Sequence, residues 1–151
     1  MNALVVLIDT DVLLDFLIDR EPFTKTARQI VKKIQDKTIN AFLSAHSITN
    51  IFYILRKIYS IPERKQLLID LCQIISIVEI GQKSIYNALE NTDFEDIEDC
   101  LQSESAKMIN ADYIITRNTQ DYAHSAIPVI LPETLLKKLE LTGEAPFDKL
   151  I

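Results

Sequence analysis

The stretch "VVLIDTDVLLDFLID", residues 5–19, joins two apolar segments through the tripeptide DTD. The first segment is short and rich in β-branched residues, which predicts a buried strand over 4–8. The second follows a residue that can cap a helix, and it predicts a helix over about 11–18. Carboxylates at the end of a buried strand are costly to desolvate. We therefore expect Asp9 and Asp11 to face water, a partner or a metal ion.

The rest of the chain continues to alternate between strand and helix patterns. Most predicted strands are continuously apolar, which is typical of a parallel sheet covered on both faces. We therefore predict an α/β fold with three layers, α/β/α, around a central, mostly parallel sheet of about five strands. Further strands are predicted over 39–43, 77–80, 113–116 and 127–131, and helices over 22–37, 44–58, 62–75, 82–90, 95–109 and 132–141.

Length and composition favour a folded domain. The 151 residues suggest one domain, which we place at 1–141 with a tail over 142–151. The apolar fraction is 48%, with 2 Gly and 5 Pro, which argues against disorder and long linkers. The apolar runs are shorter than the ~20 residues of a membrane span, and no signal peptide is evident. We expect a cytoplasmic protein in which Cys72 and Cys100 are reduced thiols.

The net charge of −6 limits the ways in which the chain could bind nucleic acid. It argues against a broad basic surface of the kind that attracts phosphates. It leaves room for an acidic, metal-dependent active site, because bound cations neutralise such a site locally.

Polar residues follow two strands of the predicted sheet, where ligands of parallel sheets bind. Asp9 and Asp11 follow the first strand. Thr116 ends the fourth strand, and Asp121 comes after it. A helix predicted to begin near residue 95 adds acids that share one face because they are three residues apart. These are Asp96 and Asp99. A simpler alternative is that acids in a first helical turn only favour the helix dipole.

Three of these carboxylates are far apart in sequence but predicted at one edge, namely Asp9, Asp99 and Asp121. Convergent carboxylates repel one another unless a cation joins them. Mg²⁺ and Mn²⁺ prefer such oxygen ligands, and they can promote phosphodiester hydrolysis. His46 and His124 show no metal-ligand spacing, and two glycines cannot form a phosphate-binding loop.

Three segments in this order resemble the motifs of PIN-domain proteins, of the kind found as toxins in VapC-type toxin–antitoxin pairs. The resemblance extends over most of residues 4–140. The segments are "VLIDTDVLLDFLIDREPF" (6–23), "DIEDCLQSESAKMINADYIITRNTQDY" (96–122) and "IPVILPETLL" (127–136).

The resemblance implies a Mg²⁺- or Mn²⁺-dependent endoribonuclease that acts on RNA and is inhibited by a small antitoxin protein. By position, Asp9, Asp99 and Asp121 match its acidic metal-site residues. Asp11 and Asp96 are then accessory acids, and Thr116 and Asn118 line the same pocket. Candidate phosphate contacts are Arg20, Arg56, Lys57 and Arg117.

Two positions depart from the family pattern, and one is Asp11, which stands where the family usually has Asn. In "SAHSITNIFYILRK" (44–57), Asn50 stands where the family usually has Glu. An Asn side chain can bind a metal through its carbonyl oxygen, but it cannot supply negative charge or act as a base. One alternative is therefore a PIN-like binding or assembly protein with weakened or lost catalysis. A further question is whether Asp11 compensates for the missing Glu.

A second alternative is a phosphatase of the haloacid-dehalogenase kind, because "VLIDTDVL" (6–13) resembles its Asp-x-Asp motif. That family needs its acidic pair after the strand-end Thr or Ser, whereas here the acids of 96–99 precede Thr116.

The first and third predicted helices are more apolar than one sheet face needs, which suggests a surface for a homodimer or an antitoxin. Asp15 and Asp19 fall further along the first helix, where we expect them to be solvated.

Overall fold

The computed structural model describes residues 3–141, so the predicted tail over 142–151 lies outside the described residues. Its centre is a five-stranded sheet in the order β3-β2-β1-β4-β5, with every neighbouring pair parallel. The predicted α/β class and parallel sheet are confirmed. The strands are β1 (Leu4–Ile8), β2 (Ile39–Ser44), β3 (Ser76–Val78), β4 (Tyr113–Ile115) and β5 (Val129–Ile130).

Helices cover both faces of the sheet. Successive residues of a strand point to opposite faces, and Val6 and Ile8 pack in one apolar cluster whereas Leu7 packs in another. The three-layer prediction is therefore confirmed. The helices are α1 (Thr10–Leu17), α2 (Thr24–Gln35), α3 (Ala45–Ile54), α4 (Ile61–Cys72), α5 (Gln82–Glu90), α6 (Ile97–Met108) and α7 (Pro132–Leu139), with 3₁₀ turns at Leu55–Lys57 and Thr119–Tyr122.

Several element boundaries differ from the sequence prediction. Helix α2 begins at Thr24 and not at residue 22, because residues 21–23 form a turn. The outer strands β3 and β5 are shorter than predicted. Each has a single neighbour, so its ladder covers only the residues that pair with β2 or β4.

The strand order places the ends of β1 and β4 side by side. Ile8 pairs with Ile115, and the backbone N–H of Asp9 donates to the carbonyl of Ile115 at 2.9 Å. From β1 the chain builds outward to β2 and β3 on one side, and β4 and β5 lie on the other. Ligands of open parallel sheets bind at such a reversal of strand order.

We expected surplus apolar surface on the first and third helices, and the structure shows it on α3 but not on α1. The apolar residues Val12, Leu13 and Leu14 of α1 are buried in the core of the chain itself. Helix α3 instead leaves Tyr53 and Ile54 exposed. Of the described thiols, Cys72 is exposed, Cys100 is buried, and both are free. None of the described helices is both long and apolar enough to cross a membrane.

Candidate active site

The side chain of Thr116 orients Asp9 at the junction of β1 and β4. Its hydroxyl donates a 2.8 Å hydrogen bond to Oδ2 of Asp9 and accepts one of 3.0 Å from the backbone N–H of Asn118. Thr116 is fully buried. The two strand-end residues are therefore held together by the sheet and by a side-chain hydrogen bond.

A pocket of about 410 Å³ opens beyond this edge of the sheet. It brings together most of the site residues that the sequence predicted, from four separate parts of the chain. A second depression of about 450 Å³ shares Asp96, Asp99 and Asp121 with it. The pocket is lined by Asp9, Thr10, Asp11, Asn50, Tyr53, Ile54, Asp96, Glu98, Asp99, Gln102, Asn118 and Asp121. We call it the acidic pocket, because six of these residues are carboxylates.

The electrostatics of the acidic pocket oppose ionisation of two carboxylates. Burial, followed by the charge of Asp11, raises the pKa of Asp9 to about 6 despite the hydrogen bond from Thr116. Burial also raises the pKa of Asp99 to about 7, with further increases from Asp96, Asp121 and Asp9. A cation in the pocket would favour the ionised forms and reverse these shifts.

One buried polar atom of the acidic pocket lacks a hydrogen-bond partner in the part of the chain that the structure describes. It is Oε1 of Gln102, whose amide nitrogen donates to Ser47 Oγ at 3.2 Å. The buried hydroxyl of Tyr122 lies close to Asp9 and Asp99, and burial and the charges of these two carboxylates raise its pKa. A buried unpaired polar atom is costly, so Oε1 of Gln102 beside the carboxylates fits a site that holds a ligand or ordered water.

The donor atoms of the acidic pocket suit a hard divalent cation, because they are carboxylate and amide oxygens. Among residues 3–141, no three Asp, Glu, His or Cys side chains are close enough to hold one ion together. An ion in this pocket would therefore take at most two carboxylates directly, with waters completing its coordination as Mg²⁺ allows. Asp96 also has a structural role, since its Oδ1 caps α6 by accepting from the N–H of Glu98 at 2.8 Å.

Asp11 and Asn50 both line the acidic pocket, but the carboxylate of Asp11 already has partners. Its Oδ2 accepts a 3.2 Å hydrogen bond from Nδ2 of Asn118, and its Oδ1 lies 3.5 Å from Nη2 of Arg20. Arg20 thus offsets part of its charge. Asp11 is therefore a limited substitute for a Glu at position 50.

Asp15 is buried rather than solvated, so our expectation for it was wrong. Its side chain is 2% exposed and lies between two arginines. Arg20 Nε binds Oδ1 at 2.9 Å, and Arg117 binds both oxygens, at 2.7 and 3.1 Å. Asp19 is exposed and pairs with Arg28 at 2.7 Å. Arg117 is directed to Asp15, and Arg20 is shared between Asp15 and Asp11, so neither is among the residues that line the acidic pocket.

The other two predicted cations follow α3 in the 3₁₀ turn Leu55–Lys57. The guanidinium of Arg56 lies 3.7 Å from the centre of the Tyr53 ring and donates to the Tyr53 carbonyl at 2.9 Å. Lys57 is exposed. Arg56 therefore contacts a residue that lines the acidic pocket, whereas Lys57 is not among the lining residues.

Sequence reasoning missed six residues of the site, and spacing could have identified three of them. Residues three or four apart share a helix face, which places two missed residues beside Asn50 and another beside Asp99. These three are Tyr53, Ile54 and Gln102. The other three, Thr10, Glu98 and Tyr122, have no distinctive spacing.

Comparisons with known proteins agree on the fold. A sequence model of the PIN domain matches residues 5–120. No curated protein matches the chain. A toxin–antitoxin complex from Klebsiella pneumoniae contains a chain with 19% identity and a TM-score of 0.64, over 84% of this chain and 97% of that one.

Two further solved structures are similar. VapBC2 from Rickettsia felis, bound to a DNA fragment from its promoter, has 11% identity and a TM-score of 0.64, over 85% of this chain and 98% of that one. FitAcB from Neisseria gonorrhoeae has 16% identity and a TM-score of 0.57, with coverages of 85% and 98%. At these identities the likeness supports the fold alone.

Proposed function

The chain belongs to the PIN-domain family, and we propose that it is a Mg²⁺- or Mn²⁺-dependent endoribonuclease that hydrolyses RNA phosphodiester bonds. The observation that supports this most directly is the meeting of Asp9, Asp99 and Asp121 in one pocket at the carboxyl edge of the sheet. The raised pKa values of Asp9 and Asp99 fit a site whose charge a cation completes.

Each residue of the acidic pocket has a proposed role in this reaction. A bound Mg²⁺ or Mn²⁺ ion supplies Lewis acidity that activates water and stabilises the phosphodiester oxygens. Asp9, Asp99 and Asp121 would hold the ion, one or two of them by direct contact and the rest through its bound waters. Thr116 keeps Asp9 in place, and Asn50 offers a neutral oxygen. Supporting roles, in ordering water or positioning the scissile phosphate, fall to Asp11, Asp96 and Asn118.

We further propose that this nuclease is the toxin of a toxin–antitoxin pair and acts in the cytoplasm as a single domain over 1–141. The similar structures include one described as a toxin–antitoxin complex and VapBC2 bound to promoter DNA. The partner is a small antitoxin protein. A homodimer is compatible with the exposed apolar residues of the chain, such as Ile58 and Ile61.

A second candidate function is binding or assembly without catalysis. It is favoured by Asn50, which lines the acidic pocket without adding charge, and by the absence of three close acidic, His or Cys ligands among residues 3–141. Membership of the PIN-domain family argues against the haloacid-dehalogenase alternative.

The direct test is cleavage of a labelled single-stranded RNA with Mn²⁺ by the wild type, Asp9→Asn and Asp99→Asn. We expect each substitution to lower the rate by about 10² or more. Asp112→Asn is the matched control, because Asp112 accepts from the backbone N–H of Val5 outside the acidic pocket. Equal cleavage by the wild type and both site variants would contradict the assignment.

Calorimetry with Mn²⁺ separates the two candidate functions. Binding that is lost in Asp99→Asn supports the nuclease. If the wild type neither binds Mn²⁺ nor cleaves RNA, and Asn50→Glu restores binding, the non-catalytic candidate is correct.

A further inference from the structure

Tyr53 is the one aromatic residue among the described side chains that line the acidic pocket. It lies one helical turn after Asn50 on α3, so both side chains project toward the same opening. Its side chain is 60% exposed, whereas Tyr122 at the same site is buried. An aromatic ring at the opening of a polar pocket is a surface on which a planar group can stack.

The ring of Tyr53 is held by its neighbour Arg56. The guanidinium lies 3.7 Å from the ring centre, and a 2.9 Å hydrogen bond to the Tyr53 carbonyl fixes the arginine over the ring. This contact orders an exposed tyrosine before any ligand arrives and leaves a cation beside it. The planar ring can stack on a nucleobase, and the guanidinium can pair with its phosphate.

The charge of the acidic pocket explains why a stacking contact is needed there. Six carboxylates line it, and they repel the phosphates of a polynucleotide. The nearby arginines offset little of that repulsion, because Arg117 is directed to Asp15 and Arg20, shared between Asp15 and Asp11, faces only one of the six carboxylates. Stacking on an aromatic ring contributes affinity that does not depend on phosphate charge.

We propose that Tyr53 and Arg56 form a binding subsite for an unpaired nucleobase, which holds single-stranded RNA at the opening of the acidic pocket. The inference rests on the proposed nuclease function and names the form of its substrate. Unpaired bases are required because the faces of a base in a duplex are already stacked on its neighbours.

The chain offers a matched control for each residue of the subsite. Tyr86 is also an exposed helical tyrosine, at 56%, but it does not line the acidic pocket. Arg64 repeats the contacts of Arg56, since it lies 4.3 Å from the centre of the Phe52 ring and donates to the Phe52 carbonyl at 2.9 Å. Arg64 is also outside the acidic pocket.

The test is fluorescence anisotropy with a labelled single-stranded RNA dodecamer over a series of salt concentrations. Ca²⁺ replaces Mg²⁺, and a gel verifies that the RNA remains intact. We expect Tyr53→Ala to weaken binding about 5- to 150-fold at every salt concentration, with an unchanged slope of log affinity against log salt. Arg56→Ala should reduce that slope by about 0.7, the value for one phosphate contact on a single strand.

Three further results support the subsite: Tyr53→Phe binds like the wild type, Tyr86→Ala and Arg64→Ala do the same, and an RNA duplex does not compete. The inference is overturned if the wild type binds the RNA and Tyr53→Ala binds it equally well, in which case the exposed ring serves a protein contact. An equal loss in Tyr86→Ala also overturns it. A wild type that neither binds nor, with Mn²⁺, cleaves the RNA contradicts the proposed nuclease itself.

Discussion

The hydroxyl of Thr116 donates a 2.8 Å hydrogen bond to Oδ2 of Asp9, and this bond joins the carboxyl ends of β4 and β1. The donor is fully buried, so water cannot replace it without a change in the strand ends. A hydrogen bond to an ionised carboxylate favours the charged form. Thr116 therefore keeps Asp9 ionisable in a setting where burial and neighbouring acids favour the neutral acid.

Thr116→Val removes this donor and should raise the pKa of Asp9 above its present value of about 6, by about one unit. The measurement is a carboxyl-carbon NMR titration of the metal-free protein. Thr116→Ser keeps the hydroxyl and should leave the pKa unchanged. A lower or unaltered pKa in Thr116→Val would show that the hydrogen bond does not control Asp9.

In the metal-free protein, the contribution of Asp9 to the free energy of unfolding should decrease as the pH rises. The pKa of Asp9 is about 6 in the folded protein and 3.8 for an unperturbed Asp carboxyl, so the folded state binds more protons between these values. Its contribution to the free energy of unfolding therefore falls as the pH rises from about 4 to about 7. The loss from Asp9 is about 1–3 kcal/mol.

Asp9→Asn isolates this effect from other carboxylates. We expect it to be more stable than the wild type at about pH 8 in EDTA and similar at about pH 4, measured by thermal unfolding. Asp112→Asn, which keeps a side-chain oxygen to accept from the N–H of Val5, should instead gain no stability at about pH 8. A wild type as stable as Asp9→Asn at the higher pH would refute the raised pKa.

Asn50→Glu should have opposite effects with and without metal. A seventh carboxylate in the acidic pocket increases repulsion in the metal-free protein and lowers its melting temperature. The same charge should tighten Mn²⁺ binding about tenfold or more, measured by calorimetry. Asn50→Gln lengthens the side chain without adding charge and should show neither effect. Unchanged Mn²⁺ affinity in Asn50→Glu would exclude position 50 from the metal site.

Asp15→Asn should destabilise the fold by about 2–4 kcal/mol, measured by urea unfolding, because it leaves two arginines without their buried partner. Asp19→Asn is the matched control. Asp19 pairs with Arg28 in an ion pair whose side chains are 64% and 61% exposed, so its loss should cost less than about 0.5 kcal/mol. Equal effects of the two substitutions would contradict the structural role of Asp15.

Periodicity in the sequence predicted the order and type of elements but not all of their ends. The continuous apolar run of β1 indicated a buried parallel strand, and the structure confirms it. The edge strands β3 and β5 are shorter than predicted, because the pairing of an edge strand depends on how far its neighbour extends. That extent is a property of two segments and cannot be read from either one.

The sequence by itself determined which carboxylates could meet, because parallel strands have all their carboxyl ends at one edge and helix spacing fixes which residues share a face. Asp9, Asp99 and Asp121 were predicted on these grounds, and they line one pocket.

Only the tertiary structure decided which acidic side chains are buried in ion pairs and which are exposed. Asp15 and Asp19 are both acids of the same opening stretch, yet one is buried between Arg20 and Arg117 and the other is exposed. Pairing and burial depend on segments that are distant in sequence, and those two quantities set the free energy of an ionised group.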